Sequence, residues 1–378
     1  MTPEAILADL VACADLPGAP NAVVAGCVLD HLRRMGVEPS VLPGPEGDRV
    51  NIFASIGPRD VPGVILSGHM DVVPTQGQSW TSDPFRLTAR EGRLYGRGTS
   101  DMKGFLACML AMVPEFQRAG TTRPIHLAFS YDEEIGCRGV PHLIAALPEL
   151  CAPPLACIVG EPSDMRPVRS HKGKESTRFA FRGRASHSSQ PGAGVNAVYA
   201  GAALALAARD LNAELAVQGP FDADFDPPHS TVVAGVIHGG TAVNIVPEGC
   251  TLDAEVRSIP GDDPAAVMAR LLGRANALVA GGAALEVTAQ TLSAYPALPP
   301  AGPELTACLE GLAGRPAVQS VSFGTEAGLF RAAGIPSIIC GPGRIDRAHR
   351  ADEYILPQEL GDCCAMLRKL AREGDWGI

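Results

Sequence analysis

The chain has 378 residues, 46% of them hydrophobic, and Asp plus Glu outnumber Lys plus Arg by 41 to 31, a formal charge of −10. That length exceeds one ordinary core and predicts about two domains at roughly 100–200 residues each, while an acidic balance without a basic stripe or Arg-rich helix excludes nucleic acid and anionic lipid as expected partners and favours a small molecule. The eleven cysteines are odd in number, form no Cys-x-x-Cys pair and follow no signal peptide, so a reducing, cytoplasmic setting is expected. No apolar run reaches the ~18–20 residues of a membrane span.

In chain order, a capping pattern at Thr2-Pro3-Glu4 opens a helix over 2–10, and apolar spacing of three and four predicts a second over 21–35. Strands follow over 50–56 and 63–67, and the second delivers Gly68-His69-Met70-Asp71 at its end. Residues i and i+2 of an extended segment share a face, so Asp71 can orient the His69 imidazole as carboxylates do behind metal-ligating histidines. Alone, His-x-Asp also reads as a hydrogen-bonded structural histidine. The glycine-rich stretch Gly96-Arg97-Gly98-Thr99-Ser100-Asp101 then precedes a helix over 105–119. It lacks the third glycine of a dinucleotide fingerprint and the Gly-Lys-Ser/Thr of a phosphate loop. Asp101 is left either as a helix cap or as a carboxylate able to bridge two ions.

A buried strand over 123–130 ends in Asp132-Glu133-Glu134-Ile135-Gly136. Carboxyl ends of strands open onto the ligand crevice of an α/β sheet. Stacked acids there need cations or protons, unless the stretch is simply a solvated turn. After a helix over 140–147, the strand over 156–159 closes on Gly160-Glu161-Pro162, where Pro162 ends the strand and leaves Glu161 at the sheet's lip. The alternation so far is that of a largely parallel, helix-covered sheet. From about residue 174 the pattern changes to β-α-β-β-α-β, with strands over 175–182, 231–238, 244–256 and 285–289 and helices over 194–211 and 262–279. This predicts an inserted antiparallel sheet with two helices on one face, carrying the loop histidine His187. Helices over 305–313 and 326–333, a strand over 337–340, a loop holding His349 and a helix over 357–373 return to the first domain. The domains are thus expected at 1–173 with 290–378, and 174–289. His69, Asp101, Glu134, Glu161 and His349, with no thiolate among them, suit zinc, cobalt or manganese. Two ions sharing Asp101 would leave Glu133 free.

Ser67-Gly68-His69-Met70-Asp71, Gly96-Arg97-Gly98-Thr99-Ser100-Asp101-Met102-Lys103-Gly104, Asp132-Glu133-Glu134-Ile135-Gly136, Gly160-Glu161-Pro162-Ser163 and Ala348-His349-Arg350-Ala351-Asp352-Glu353-Tyr354 together resemble the M20 metallopeptidase and deacylase family over nearly the whole chain. Within it, Ser186-His187-Ser188-Ser189 and Gly324-Thr325-Glu326-Ala327 look like the acetylornithine deacetylase subgroup. The resemblance implies an α/β catalytic domain with an inserted α+β lid that dimerises, and two divalent metal ions, Zn²⁺ foremost with Co²⁺ as the alternative. One would be held by His69, Asp101 and Glu161, the other by Asp101, Glu134 and His349. It further implies a cis peptide between Asp101 and Met102, Asp71 behind His69, Glu133 as general base, His187 reaching a neighbouring subunit's site, and Asn244 and Arg257 as substrate contacts. The expected reaction is hydrolysis of an N-acetyl amino acid, ornithine favoured, with Glu326 either facing a cationic side chain or capping the following helix. Another acyl group, a dipeptide, or a non-catalytic binder on the same fold are the competing readings.

Overall fold

The computed structural model describes residues 1–374 and 376–378. The chain begins with helices α1 (Pro3–Ala12) and α2 (Ala22–Arg34), then strands β1 (Ser40–Pro43), β2 (Val50–Ile56), β3 (Val64–His69), β4 (Thr88–Arg90) and β5 (Arg93–Tyr95). It continues through α3 (Lys103–Ala119), β6 (Ile125–Ser130), α4 (Val140–Leu150) and β7 (Ala156–Pro162). Next come β8 (Gly173–Arg182), β9 (Ser186–His187), α5 (Ala197–Gln218), β10 (Thr231–Gly239), β11 (Ile245–Val246), β12 (Gly249–Ser258), α6 (Pro264–Ala280) and β13 (Glu286–Tyr295). The last elements are α7 (Pro303–Ala313), α8 (Ala327–Ala332), β14 (Ser337–Gly341), β15 (Tyr354–Ile355) and α9 (Pro357–Glu373).

Two compact units result, one comprising 1–170, 298–320 and 325–378, the other 171–297 and 321–324. In the first, a six-stranded sheet has the order β1-β2-β6-β3-β7-β14. The pairs β6–β3, β3–β7 and β7–β14 are parallel, and the β1–β2 and β2–β6 pairs at one edge are antiparallel. Strands β3, β6 and β7 are buried along their whole length, which is why they read as continuous apolar runs. Their register sets His69 beside Ser130 and Ser67 beside Val159, so β3, β6 and β7 end near one lip. Helix α3 packs flat against this sheet because Gly160 has no side chain; a Cβ there would run into the Phe105 ring. Lys103, at the start of α3, is fully buried and donates to the Leu10 and Cys13 carbonyls at 3.0 and 2.6 Å, which fixes the end of α1 to the turn that follows Asp101. A small sheet of order β15-β5-β4, absent from the sequence reading because its strands are only two or three residues long, flanks that turn.

The second unit is a four-stranded antiparallel sheet of order β10-β12-β8-β13 with α5 and α6 and its own apolar core. It starts at residue 171, ahead of the expected 174, and runs to 297, beyond the expected 289. The reason is β13, which stays paired with β8 as far as Tyr295 opposite Lys174. The single strand expected over 244–256 is broken, its first part pairing with β9 as a two-residue ribbon.

Candidate active site

The lip of the first unit's sheet collects His69, Asp71, Asp101, Glu133, Glu134, Glu161 and His349. His69 ends β3, and its Nδ1 donates to the Asp71 backbone carbonyl at 2.8 Å, which turns Nε2 toward Asp101 Oδ1 at 3.2 Å and Glu161 Oε1 at 3.7 Å. Asp101 precedes α3 across a cis peptide to Met102. Its second oxygen, Oδ2, lies 3.1 Å from His349 Nε2, which is also 3.1 Å from Glu134 Oε2. One carboxylate therefore faces two histidines on opposite sides, as a bridging ligand must.

The Asp71 carboxylate stands behind His69, as the sequence suggests, and has a second task. It pairs with Nδ1 at 3.6 Å, and its oxygens also accept from the backbone N–H groups of Glu133 and Glu134, both at 3.1 Å. Asp71 orients both His69 and the acidic turn. Asp132 has a different task from its two neighbours. At φ 53° it turns away and accepts from Gly18 N at 2.7 Å and Arg49 Nη1 at 2.5 Å, so the turn is anchored at both ends. The resemblance gave roles to Glu133 and Glu134 but none to Asp132, whose partners supply one.

Glu326 corresponds to neither expectation. It is 1% exposed, and its oxygens accept from Ser67 Oγ at 2.5 Å and Ser130 Oγ at 2.7 Å, so it ties β3 to β6 beneath the lip. Its side chain makes no capping bond to α8. His187, Asn244 and Arg257 belong to the second unit. His187 is exposed on β9, with its Nδ1 2.7 Å from Ser189 Oγ and 3.1 Å from the Ser189 N, which leaves Nε2 as the nitrogen available to donate elsewhere. Asn244 precedes β11 in the same ribbon, with its carbonyl accepting from Ser188 N at 3.0 Å. Arg257 already donates to Glu255 Oε1 at 2.7 Å and Tyr295 Oη at 3.1 Å.

The electrostatics of the lip call for positive charge. Burial pushes Glu133 up to about 8 and Glu134 up to about 7, with neighbouring carboxylates adding to both. Burial, then Asp101, raise Glu161 well above the ordinary carboxylate range. Conversely, hydrogen bonds to Asp101 and Glu134 bring His349 up to about 10. Burial opposes a charge on His69, yet Asp101 and Asp71 raise it well above its usual value. Protons on the histidines thus stand where cations would neutralise the cluster. Ligand-capable atoms of His69, Asp101 and Glu134 lie within 4.8 Å of one another, as do those of His69, Glu133 and Glu161. Glu134 Oε1 is buried with no hydrogen-bond partner. Oxygen and imidazole donors at this spacing, with an orphaned carboxylate oxygen, fit divalent metal ions.

The profile of Peptidase family M20/M25/M40 matches residues 65–373. The chain belongs to that family. It is 32% identical over 339 residues, 89% of this chain and 85% of the relative, to the acetylornithine deacetylase of Proteus mirabilis (strain HI4320). Among solved structures, an M20 family metallo-carboxypeptidase from Sulfolobus solfataricus superposes with a TM-score of 0.78 at 17% identity, over 98% of both chains. A dinuclear metal-binding M20 peptidase from Bacillus subtilis superposes at 0.70 and 14% identity, over 100% of this chain and 98% of its own. The fold is that of M20 peptidases, and the protein is an M20 family metal-dependent hydrolase. Among the described residues, no helix is long and apolar enough to cross a membrane.

Proposed function

We propose that this M20 hydrolase removes the N-acetyl group of an amino acid, with N2-acetyl-L-ornithine as the foremost substrate, giving L-ornithine and acetate in arginine biosynthesis. The observation that carries the reading is Asp101 facing both His69 and His349, with Glu133 beside them and held through its backbone by Asp71. The deacetylase relative supports the choice of acyl amino acid. In this reading His69, Asp101 and Glu161 hold one metal ion and Asp101, Glu134 and His349 the other, Zn²⁺ foremost and Co²⁺ as alternative. Such ions supply Lewis-acid polarisation of the amide carbonyl and bring the pKa of water from about 15.7 toward about 7.

Glu133 is the general base and then the general acid. Its carboxylate takes a proton from the attacking water as oxygen adds to the acetyl carbon, and returns it to the α-amino nitrogen as the C–N bond breaks. The Nε2–H of His187 serves as a donor to the oxyanion that develops between those steps. The second unit acts as lid and dimerisation domain. Its edge strand β10 and helix α5 expose Val233, Ile237, Tyr199 and Leu206, an apolar set suited to an isologous partner. The homodimer would act in the cytoplasm.

Hydrolysis of N-acetylornithine, N-acetylcitrulline, N-acetylmethionine, N-succinyl-diaminopimelate and a dipeptide, each with added Zn²⁺ or Co²⁺, tests the proposal. N-acetylornithine should show the highest kcat/KM. Faster turnover of the dipeptide would place the protein with the M20 peptidases, and no turnover of any of them would favour a binder.

A further inference from the structure

The turn bearing Asp101 and the loop bearing His349 lie far apart in sequence, and neither residue sits in a regular element. One buried carboxylate links them. Glu353 is 1% exposed and accepts from Arg97 Nη1 at 2.7 Å and from the backbone N–H groups of Gly98, Ser100 and Asp101 at 3.1, 2.9 and 3.1 Å. Arg97, equally buried, turns its other bonds toward the histidine loop. Nη1 also donates to the Arg350 carbonyl at 3.2 Å and Nη2 to Gln78 Oε1 at 2.5 Å, while Gln78 Nε2 donates to the His349 carbonyl at 3.0 Å. The guanidinium lies 5.1 Å from the centre of the Trp80 ring, and pairing of Tyr354 with Tyr95 closes the arrangement.

We propose that Glu353 and Arg97 are positioning residues that hold Asp101 and His349 in register and so set the affinity of the cation position formed by Asp101, Glu134 and His349. This rests on the two-cation reading above. His349 has little else to place it, since its side chain is 54% exposed and its backbone stands at φ 60°, an unfavourable conformation for a residue other than glycine. The other position shares Asp101 but depends less on the clamp, because its remaining ligands, His69 and Glu161, are 1% and 4% exposed on β3 and β7 and are fixed by the sheet. Loss of the clamp therefore weakens the position that holds His349 more than the other, and loss of its bridge to His349 alone weakens only the first. A merely structural role would weaken both together.

Two variants test this. Glu353→Gln keeps the volume but turns one acceptor into a donor facing N–H groups. Gln78→Leu cuts the bridge to His349 at a half-exposed residue, and also removes the acceptor of Arg97 Nη2 and Trp80 Nε1 while leaving the Arg97–Glu353 pair in place. Metal-free protein is titrated with Co²⁺ and followed by calorimetry and visible absorption, and the wild type should bind in two steps. In both variants the weaker step should lose about 10–100-fold in affinity, as is typical for groups supporting metal ligands, while the stronger step should lose less than about threefold in Gln78→Leu and less than the weaker step in Glu353→Gln, which also holds the shared Asp101. Raising Co²⁺ to compensate should restore kcat. Equal weakening of both steps, or two unchanged steps in Gln78→Leu, overturns the inference. If Glu353→Gln does not fold, the Gln78→Leu titration decides alone. A wild type that binds one Co²⁺ or none refutes the two-cation reading itself, and this inference with it.

Discussion

Replacing Asp71 by asparagine separates two ways in which this buried residue could act. The carboxylate accepts from the Glu133 and Glu134 N–H groups at 3.1 Å each, and in the Asp71→Asn variant one of those oxygens becomes an NH₂ that faces a donor. Hydrogen bonds to charged groups contribute about 1.5–3 kcal/mol, and a buried N–H left unpaired costs about 1–3 kcal/mol, so a stability loss of about 2–3 kcal/mol is expected. The same change loosens the turn that aims Glu133. A misplacement on the order of 1 Å costs about 10²-fold in rate, so kcat should fall about 10–100-fold. The His69 contact is spared, because Nδ1 donates to the Asp71 backbone carbonyl at 2.8 Å, which the substitution retains. Steady-state kinetics at saturating metal, with metal content measured on the same samples, is the assay. Should the Asp71→Asn enzyme lose a metal equivalent yet keep wild-type kcat once metal is restored, Asp71 acts through His69 and the reasoning from the two N–H contacts is wrong.

Glu133→Ala should abolish turnover while metal content and substrate affinity stay near wild type; loss of a metal equivalent would mean that Glu133 rather than Glu134 is the ligand, a possibility its place beside His69 and Glu161 makes worth measuring. If His187 acts across a dimer, Glu133→Ala and His187→Ala proteins, each nearly inactive, should recover about a quarter of wild-type activity after random subunit exchange, since half the dimers would carry one complete site; a mixture that stays inactive after verified exchange places His187 in its own chain's site or in none. His126 is buried on β6 against Ser55, and burial, with Arg59 nearby, lowers it to about 4 from 6.5. The unfolded chain therefore takes up the proton first as pH falls, and stability fully present above pH 6.5 should decline by about 3 kcal/mol toward pH 4. Urea melts of wild type and His126→Gln should converge as pH drops through that window, and parallel curves would exclude His126 as the source.

Much of the centre was legible in the sequence because its side chains sit where strands stop. His69, the acidic turn and Glu161 each follow an apolar run, and a parallel sheet places such ends at one lip whatever the loops between them do. The two domains were legible for a similar reason, since an alternating pattern replaces continuous burial where the second unit begins. Their borders were not, because whether β13 ends near residue 289 or stays paired to Tyr295 depends on a partner strand more than a hundred residues earlier. Only tertiary structure decided how the acids divide their work. Asp132 is set apart by Gly18 and Arg49, Asp71 by the two N–H groups it accepts, Glu326 by Ser67 and Ser130, and Glu353 by Arg97 and the Asp101 turn. A carboxylate in a sequence declares its charge; which donors surround it, and so whether it holds a metal, moves a proton or clamps a loop, depends on chain segments that meet only in the folded protein.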